Sequence, residues 1–282
     1  MNLTKGVFFA LISAMAFGIS PILISMTYSM GNNSLMMAFL RNLLVLPVLL
    51  SIIKFRCHSL KVSKNQFIKL LIMTILGVCT SLMCLYTSYT FISPSLASSI
   101  HFIYPLIVAI SAVILFKEEL SILRKIALVC SLTGIFLFVD FKAGNNDLLK
   151  GVGLALISGS AYAFYIVYMA KSGLLRLSTF VVTFYTCLIS AIFLGLVTFF
   201  TGNLKPGEMD INGWLITIVI SVMITILGTM FTQLAVLNAG TTITSVMSTL
   251  EPITTITIGL LLFNESLSLV KLIACSLILT SV

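Results

Sequence analysis

The sequence predicts an all-α polytopic membrane protein in which ten transmembrane helices form two inverted five-helix repeats. Three observations lead to this fold class: the composition, the spacing of long apolar runs and an internal repeat. Of the 282 residues, 59% are hydrophobic and only 9% are charged, with a mean hydropathy of +1.18. A soluble domain has about 25% charged residues, so a soluble fold is excluded.

Ten apolar runs of transmembrane length follow one another with short connections. A helix that crosses a hydrocarbon core of about 30 Å needs roughly 20 apolar residues. The runs, called segments 1 to 10 below, cover residues 5–29, 34–54, 66–91, 94–116, 122–140, 150–171, 177–200, 211–236, 241–263 and 268–282. The first repeat spans residues 1–141 and the second spans residues 150–282. Segment 10 is shorter than its counterpart, segment 5, which predicts that it is truncated and that the native chain continues beyond Val282.

Two stretches at matching positions in the two halves establish the repeat. "KGVFFALISAMAF", which begins at Lys5, aligns with "KGVGLALISGSAY", which begins at Lys150. "FIYPLIVAISAVILFKEELS" (102–121) and "TLEPITTITIGLLLFNESLS" (249–268) share a proline, a Leu-Phe pair, a glutamate and a Leu-Ser pair. Each repeat holds an odd number of segments, so the second must enter the membrane from the opposite face. The first alignment also predicts that segment 1 belongs to the mature fold and is not a cleaved signal peptide.

The net charge of +8 comes from basic residues in short loops, where they act as topology signals. They concentrate after segment 2 (Lys54, Arg56, Lys61, Lys64, Lys69), after segment 4 (Lys117, Arg124, Lys125) and after segment 6 (Lys171, Arg176). By the positive-inside rule, these loops and the N-terminus lie in the cytoplasm, beneath a bacterial-type plasma membrane. Such a distribution is not that of a nucleic-acid-binding protein.

The sequence lacks the common patterns of catalysis and cofactor binding. Its six cysteines form no CxxC pair and mostly lie within apolar runs, so we expect neither a disulfide framework nor a metal site. The histidines are His58 and His101, and neither an HExxH nor a GxxxxGK[ST] motif occurs. We therefore expect no enzyme, no cofactor and no direct use of ATP.

Glu251 is an acidic residue near the middle of segment 9, directly before Pro252. A charge at the centre of a membrane helix costs about 2.5–3.5 kcal/mol on insertion scales, so it is rarely without a role. One interpretation is that Glu251 faces a central cavity and binds a substrate ammonium, a proton, or each in turn. The other is that it is a polar anchor that holds the bend at Pro252. One helical face, which should point inward, contains Thr244, Ser248, Glu251 and Thr255.

Further candidates lie in other segments. Segment 4 places Tyr104 at the position of Glu251 and His101 at that of Ser248, and His101 can shuttle a proton or make structural hydrogen bonds. Arg41 lies deep in segment 2, where it can pair with Glu251 or bond to helix ends and carbonyls. Candidate polar or stacking walls, each with simple packing as the alternative, are Tyr86 and Tyr89 in segment 3, Tyr162 and Tyr165 in segment 6, and Gln233 in segment 8.

Gating or structural roles are expected at the matching ends of segments 4 and 9. Glu118 and Glu265 follow these segments and lie at opposite membrane surfaces in the inverted arrangement. They cap or tether the next helix, or latch a gate on their side. Pro105 and Pro252 bend their segments. We group these four residues with Arg41 as gating or structural.

These features resemble the EamA-like branch of the drug/metabolite transporter superfamily. The resemblance covers the whole chain and rests on the two five-segment halves, the doubled Pro…Leu-Phe-x-Glu-x-Leu-Ser ending and the Glu251-Pro252 pair. It implies export or exchange of small metabolites such as amino acids, through a cavity lined by segments 1, 3, 4, 6, 8 and 9. His101 departs from the usual pattern of that family in segment 4.

The predicted function is a secondary transporter, an exporter or exchanger, that moves small organic metabolites by alternating access. Amino acids or related amines are the expected substrates. One alternative is an antiporter of phosphorylated or nucleotide-linked metabolites, which would need several Lys or Arg in the cavity, whereas Arg41 is the one available. A channel or a non-transporting membrane protein is the other. The expected partners are a small-molecule substrate and the lipid bilayer, with proton coupling as an option and the oligomeric state left open.

Overall fold

In the computed structural model, the chain folds into packed helices of transmembrane length. The structure describes residues 2–56, 59–116, 122, 126, 129, 130, 133, 146–248, 250–263 and 273. In these residues every regular element is helical. Seven helices of this part are long and apolar enough to cross a membrane: Leu3–Tyr28, Ser34–Phe55, Lys64–Ser88, Pro94–Ser111, Asn146–Lys171, Thr179–Phe200 and Ile211–Ala239. The multi-pass helical class is confirmed, while ten segments in two inverted repeats stay a prediction.

The first half begins with α1 (Leu3–Tyr28), which is capped by Asn2. The helices that follow are α2 (Ser34–Leu44) and α3 (Leu46–Phe55) in segment 2, α4 (Lys64–Ile72) and α5 (Thr80–Ser88) in segment 3, and α6 (Pro94–His101) and α7 (Tyr104–Phe116) in segment 4. Most of segment 5 lies outside the described residues, as does Glu118.

The second half follows the same order. Its helices are α8 (Asn146–Lys171) in segment 6, α9 (Thr179–Phe200) in segment 7, α10 (Ile211–Met223) and α11 (Phe231–Ala239) in segment 8, and α12 (Thr241–Met247) and α13 (Leu250–Phe263) in segment 9. Of segment 10 the structure describes only Ile273, and Glu265 is outside the described residues.

Segments 2, 4 and 9, which the sequence predicts as single runs, are each interrupted at a proline. A proline donates no N–H and its ring clashes with the carbonyl four residues earlier, so it breaks a continuous helix but fits in the first turn of a new one. Accordingly, α3 starts beside Pro47, α7 beside Pro105 and α13 beside Pro252. The interruptions of segments 4 and 9 therefore lie at matching positions of the repeat, next to Tyr104 and Glu251.

Segments 3 and 8 each contain a π-helical stretch that the sequence did not predict, at Met73–Cys79 and Ile224–Met230. Both stretches include the sequence TILG. A Cβ on Gly77 would lie 2.8 Å from Cβ of Tyr165 in α8, and a Cβ on Gly228 would lie 2.9 Å from the Phe17 ring in α1. The missing side chains let segment 3 pack against α8 and segment 8 against α1, so the packing crosses from one half to the other.

The helices α1 and α8 also pack against the interrupted segment of the opposite half. A Cβ on Gly18 in α1 would lie 2.7 Å from the carbonyl oxygen of Glu251. On Gly159 in α8 it would overlap the carbonyl oxygen of His101. Glycine at these two positions brings the helix backbones close to the interruptions of segments 9 and 4.

Candidate functional site

A cavity with about 760 Å³ of empty space, including the part open to the surroundings, is lined by residues of both halves. The lining comprises Phe17, Ser20, Pro21, Arg41, Val78, Ser81, Leu82, Leu85, Tyr86, Tyr89, Ser98, His101, Tyr162, Tyr165, Thr229, Glu251 and Thr255. The lining includes residues of segments 1, 3, 4, 6, 8 and 9, the segments that the family resemblance implies. Arg41 adds a residue of segment 2.

Glu251 lines the cavity at a contact between the two halves. One of its carboxylate oxygens, Oε1, accepts a hydrogen bond of 3.1 Å from the hydroxyl of Tyr104. Tyr104 is fully buried behind the lining. The two residues are 147 positions apart and equivalent in the repeat, so this bond joins the interruption of segment 4 to that of segment 9. Ser248 is buried beside both side chains, and its hydroxyl donates to the Thr244 carbonyl at 3.0 Å.

Arg41 is 7% exposed and lines the same cavity. Its Nη1 donates to the Tyr86 hydroxyl at 2.7 Å, and its Nη2 donates to the Thr229 hydroxyl at 3.3 Å. The Nε atom is buried and has no hydrogen-bond partner among the described residues. Arg41 and Glu251 do not form an ion pair with each other in that part of the chain, so the pairing considered from the sequence is not observed.

Tyrosine rings form much of the wall. Tyr86 and Tyr89 stack with their ring centroids 5.9 Å apart. The ring of Tyr162 lies 4.8 Å from that of Tyr104 and 5.6 Å from that of Tyr165. Tyrosine presents an apolar face and one hydroxyl, so these residues shape an apolar space while orienting the polar groups beside it.

His101 is held by a hydrogen-bond network that connects segments 3, 4 and 6. Its Nδ1 is 2.9 Å from the hydroxyl oxygen of Ser158. The Ser158 hydroxyl in turn donates to the carbonyl oxygen of Ser81 at 2.8 Å. These contacts support the structural interpretation of His101, although the residue also lines the cavity.

Gln233 lies behind the wall. Its Nε2 donates to the Tyr165 hydroxyl at 3.3 Å, and its Oε1 accepts from the Thr183 hydroxyl at 3.1 Å. The residue is 1% exposed and is not part of the lining. Gln233 therefore orients Tyr165, and it can act on a ligand in the cavity only through that residue.

Sequence reasoning missed four polar residues of the lining: Ser20, Ser81, Ser98 and Thr229. Thr229 directly follows the second TILG stretch, and Ser81 lies four residues after the first. The doubled motif is thus a signal that could have identified both. Ser20 is a single serine in an apolar run, and Ser98 lies among other serines in the stretch SPSLASS; neither belongs to the doubled TILG motif.

A bundle of membrane-crossing helices with a cavity shared by both halves is typical of multi-pass membrane transporters. The chain belongs to the EamA-like transporter family, whose model matches residues 4–140 and again residues 149–282. This assignment confirms the resemblance drawn from the sequence motifs.

Individual relatives share the class but no stated substrate. The chain is 27% identical over 207 residues to an uncharacterized transporter of Synechocystis, a match that covers 71% of this chain and 61% of the relative. It is 28% identical over 176 residues to an uncharacterized transporter of Haemophilus influenzae, covering 61% of this chain and 56% of the relative. Each match thus spans less than two thirds of the relative. A solved protein structure has a TM-score of 0.78 at 15% identity, over 100% of this chain and 96% of its own, which supports the fold alone.

Proposed function

We propose that this protein is a secondary transporter that exports or exchanges small organic metabolites bearing an amine, with amino acids and related amines as substrates. The observation that carries the proposal is the Glu251 carboxylate on the cavity wall, where the two halves meet. A carboxylate inside a membrane protein requires a cationic partner or a proton to offset its desolvation. A substrate ammonium provides the first and pH-dependent protonation provides the second.

Ammonium and proton compete for the same carboxylate in this mechanism. When the cavity faces the cytoplasm, the substrate displaces the proton from Glu251. When the cavity faces outward, the proton concentration is higher than in the cytoplasm, and a proton displaces the substrate from Glu251. Export is thereby coupled to proton entry, and no second ion site is needed.

The hydrogen bond from Tyr104 connects ligand binding with the arrangement of the halves. Tyr104 lies in α7 and Glu251 in α13, so a ligand that engages the carboxylate must share or replace a contact between segments 4 and 9. Binding then has a different free energy in the inward-facing and outward-facing arrangements. That difference is the condition under which a ligand shifts a conformational equilibrium.

The charges on the wall disfavour a phosphorylated substrate. Of the lining residues that the structure describes, Arg41 is the one Lys or Arg. Phosphate groups with two or more negative charges are bound by several cations or backbone N–H groups, and Glu251 would repel them. An amine-bearing substrate matches Glu251 directly.

The transporter operates, in this proposal, in the plasma membrane with its N-terminus in the cytoplasm. The basic loops after segments 2, 4 and 6 support that orientation. The sequence contains no GxxxxGK[ST] motif, so ion or substrate gradients drive transport.

The experiment that tests the proposal is counterflow in liposomes. Purified protein is reconstituted with a high internal concentration of unlabelled leucine, methionine, phenylalanine, threonine or putrescine, and entry of the same labelled compound is measured. We expect counterflow of at least one compound with the wild type and its loss with Glu251→Gln. The control is Glu208→Gln. Glu208 is an exposed residue that forms an ion pair with Lys205 at 3.0 Å, and it is not part of the cavity lining.

The outcomes separate the parts of the proposal. Counterflow by Glu251→Gln at the wild-type rate would remove Glu251 from substrate binding. Wild-type liposomes that accumulate none of the compounds would contradict transport of amines. Equal losses in Glu251→Gln and Glu208→Gln would point to a general effect of removing a carboxylate.

A further inference from the structure

Arg41 places a guanidinium on the cavity wall with hydrogen bonds to neutral groups. The hydroxyls of Tyr86 and Thr229 accept from its two terminal nitrogens, and its Nε has no acceptor among the described residues. A buried charge without a counter-charge is costly, and an unsatisfied N–H adds to that cost. Within the described residues no carboxylate forms an ion pair with Arg41.

The repeat itself does not require this charge. Arg41 is the eighth residue after Asn33, the N-cap of α2. The eighth residue after Ser178, the N-cap of α9, is Thr186, which is buried and uncharged. The same place in the other half is thus filled without a cation, so packing of the repeat does not explain Arg41.

We propose that Arg41 binds the carboxylate of a zwitterionic substrate whose ammonium is bound by Glu251, so that the cavity recognises free amino acids. This inference rests on the proposed function, in which Glu251 binds an ammonium. Arg41 and Glu251 line one cavity without pairing with each other, and a zwitterion neutralises both. A simple amine would leave Arg41 without a counter-charge. An anion without an amine would leave Glu251 without a counter-charge, and the two negative charges would repel each other.

The geometry of the guanidinium suits a carboxylate. Each terminal nitrogen carries a second N–H besides the one that it donates to Tyr86 or Thr229, and a carboxylate can accept from these N–H groups of the planar guanidinium. Tyr86 and Thr229 fix the rest of the group, so little side-chain freedom is lost on binding. The lining around the two charges, which includes Phe17, Val78 and Leu82, favours an apolar substrate side chain.

The test compares ligands that differ only at the carboxylate. The probes are L-leucine, L-leucinamide and isopentylamine, with L-phenylalanine, L-phenylalaninamide and phenethylamine as a second series. Their binding to the full-length protein in lipid nanodiscs is measured by calorimetry at a pH where each amine is charged. We expect each amino acid to bind about tenfold or more tightly than its amide and its amine, because hydrogen bonds between two charged groups are lost in both. Equal affinities within both series would overturn the inference.

Variants of Arg41 then locate the effect. Arg41→Gln should reduce the affinity for the amino acid to that for the amine, while the affinity for the amine stays as in the wild type. Arg41→Lys should restore only part of the preference, because an ammonium lacks the N–H groups of the planar guanidinium. If Arg41→Gln instead weakens all three probes equally, Arg41 is structural and the inference is wrong. Should Arg41→Gln fail to fold, the wild-type comparison of the probes decides alone.

The same measurements distinguish this inference from the proposed function. Glu251→Gln should weaken amino acid, amide and amine together. If the wild-type protein binds amines and amino acids equally, the result agrees with the proposed amine transport and contradicts only the proposed role of Arg41. If no probe of either series binds the wild type, both the proposed amine transport and the role of Arg41 are contradicted.

Discussion

The interruptions of segments 4 and 9 are two versions of one structure with different chemistry. In the first half α6 ends at His101 and α7 begins at Tyr104, next to Pro105; in the second half α13 begins with Leu250 and Glu251. Both interruptions are adjacent to a proline, and both are packed by a glycine of the opposite half. The first presents a tyrosine and the second presents a carboxylate.

The difference shows that an interrupted helix does not need an acid. Tyr104 fills the equivalent position and leaves the interruption intact, so the bend beside Pro252 is not sufficient reason for Glu251. A carboxylate in this place retains its insertion cost of about 2.5–3.5 kcal/mol unless something else offsets it. The comparison therefore favours a ligand or proton site over a structural anchor.

The largest expected effect concerns the prediction that segments 4 and 9, which carry the two interruptions, cross the membrane in opposite directions. On a chain whose native cysteines are replaced, Thr90→Cys and Gly207→Cys should react with an impermeant thiol reagent on intact cells, and Ser59→Cys should not. All three positions are exposed in loops, and no atom lies within 4 Å of a Cβ on Gly207. Labelling of Ser59→Cys alone would show that the orientation is the reverse of the predicted one. Labelling at all three positions would contradict the predicted number of segments.

A second prediction concerns the close packing behind the interruption of segment 4. Gly159→Ala places a methyl group against the His101 carbonyl, so we expect a loss of about 1–3 kcal/mol in the free energy of unfolding. Gly153 lies in the same helix, and a Cβ there meets nothing within 4 Å. Gly153→Ala should be neutral or stabilise by up to about 1 kcal/mol. Denaturant unfolding of both variants measures the difference; equal effects would contradict the close approach of α8 to α6.

The bond between the two interruptions should have a measurable effect on binding. Tyr104→Phe removes the hydroxyl that holds Oε1 of Glu251, and we expect amine affinity to fall by about tenfold. Tyr185→Phe is the matched control, because it removes a hydroxyl that donates to the Leu60 carbonyl at 2.8 Å and is not in the lining. If both variants bind amines as the wild type does, the contact with Tyr104 does not orient the carboxylate.

The smallest effect is expected at the histidine network. Ser158→Ala removes the hydrogen-bond partner of His101 Nδ1, which should lower the free energy of unfolding by about 0.5–1.5 kcal/mol and leave ligand preference unchanged. Unfolding and probe binding are measured on the same preparation. A changed preference at wild-type stability would show that His101 contacts the ligand.

Local sequence signals predicted the helices and the resemblance to the family, because apolar length and motif spacing depend on neighbouring residues alone. They also placed Glu251, His101 and Tyr86 among the site candidates, since polar residues in apolar runs are conspicuous. The contact of Arg41 with Tyr86 and Thr229 could not be predicted, because it depends on how segments 2, 3 and 8 pack. The π-helical stretches were likewise not predicted, although both contain the sequence TILG.

One measurement tests most directly whether Glu251 is a shared site for ammonium and proton. The affinity for isopentylamine is determined by calorimetry over a series of pH values for the wild type, Glu251→Gln and Glu208→Gln. Because a protonated carboxyl cannot pair with an ammonium, affinity should rise with pH in the wild type and in Glu208→Gln, up to the pH at which the amine itself loses its charge. Glu251→Gln should bind weakly with little dependence on pH over that range. The same rise in Glu251→Gln, at wild-type affinity, would contradict the role of Glu251 and leave it a polar anchor beside Pro252.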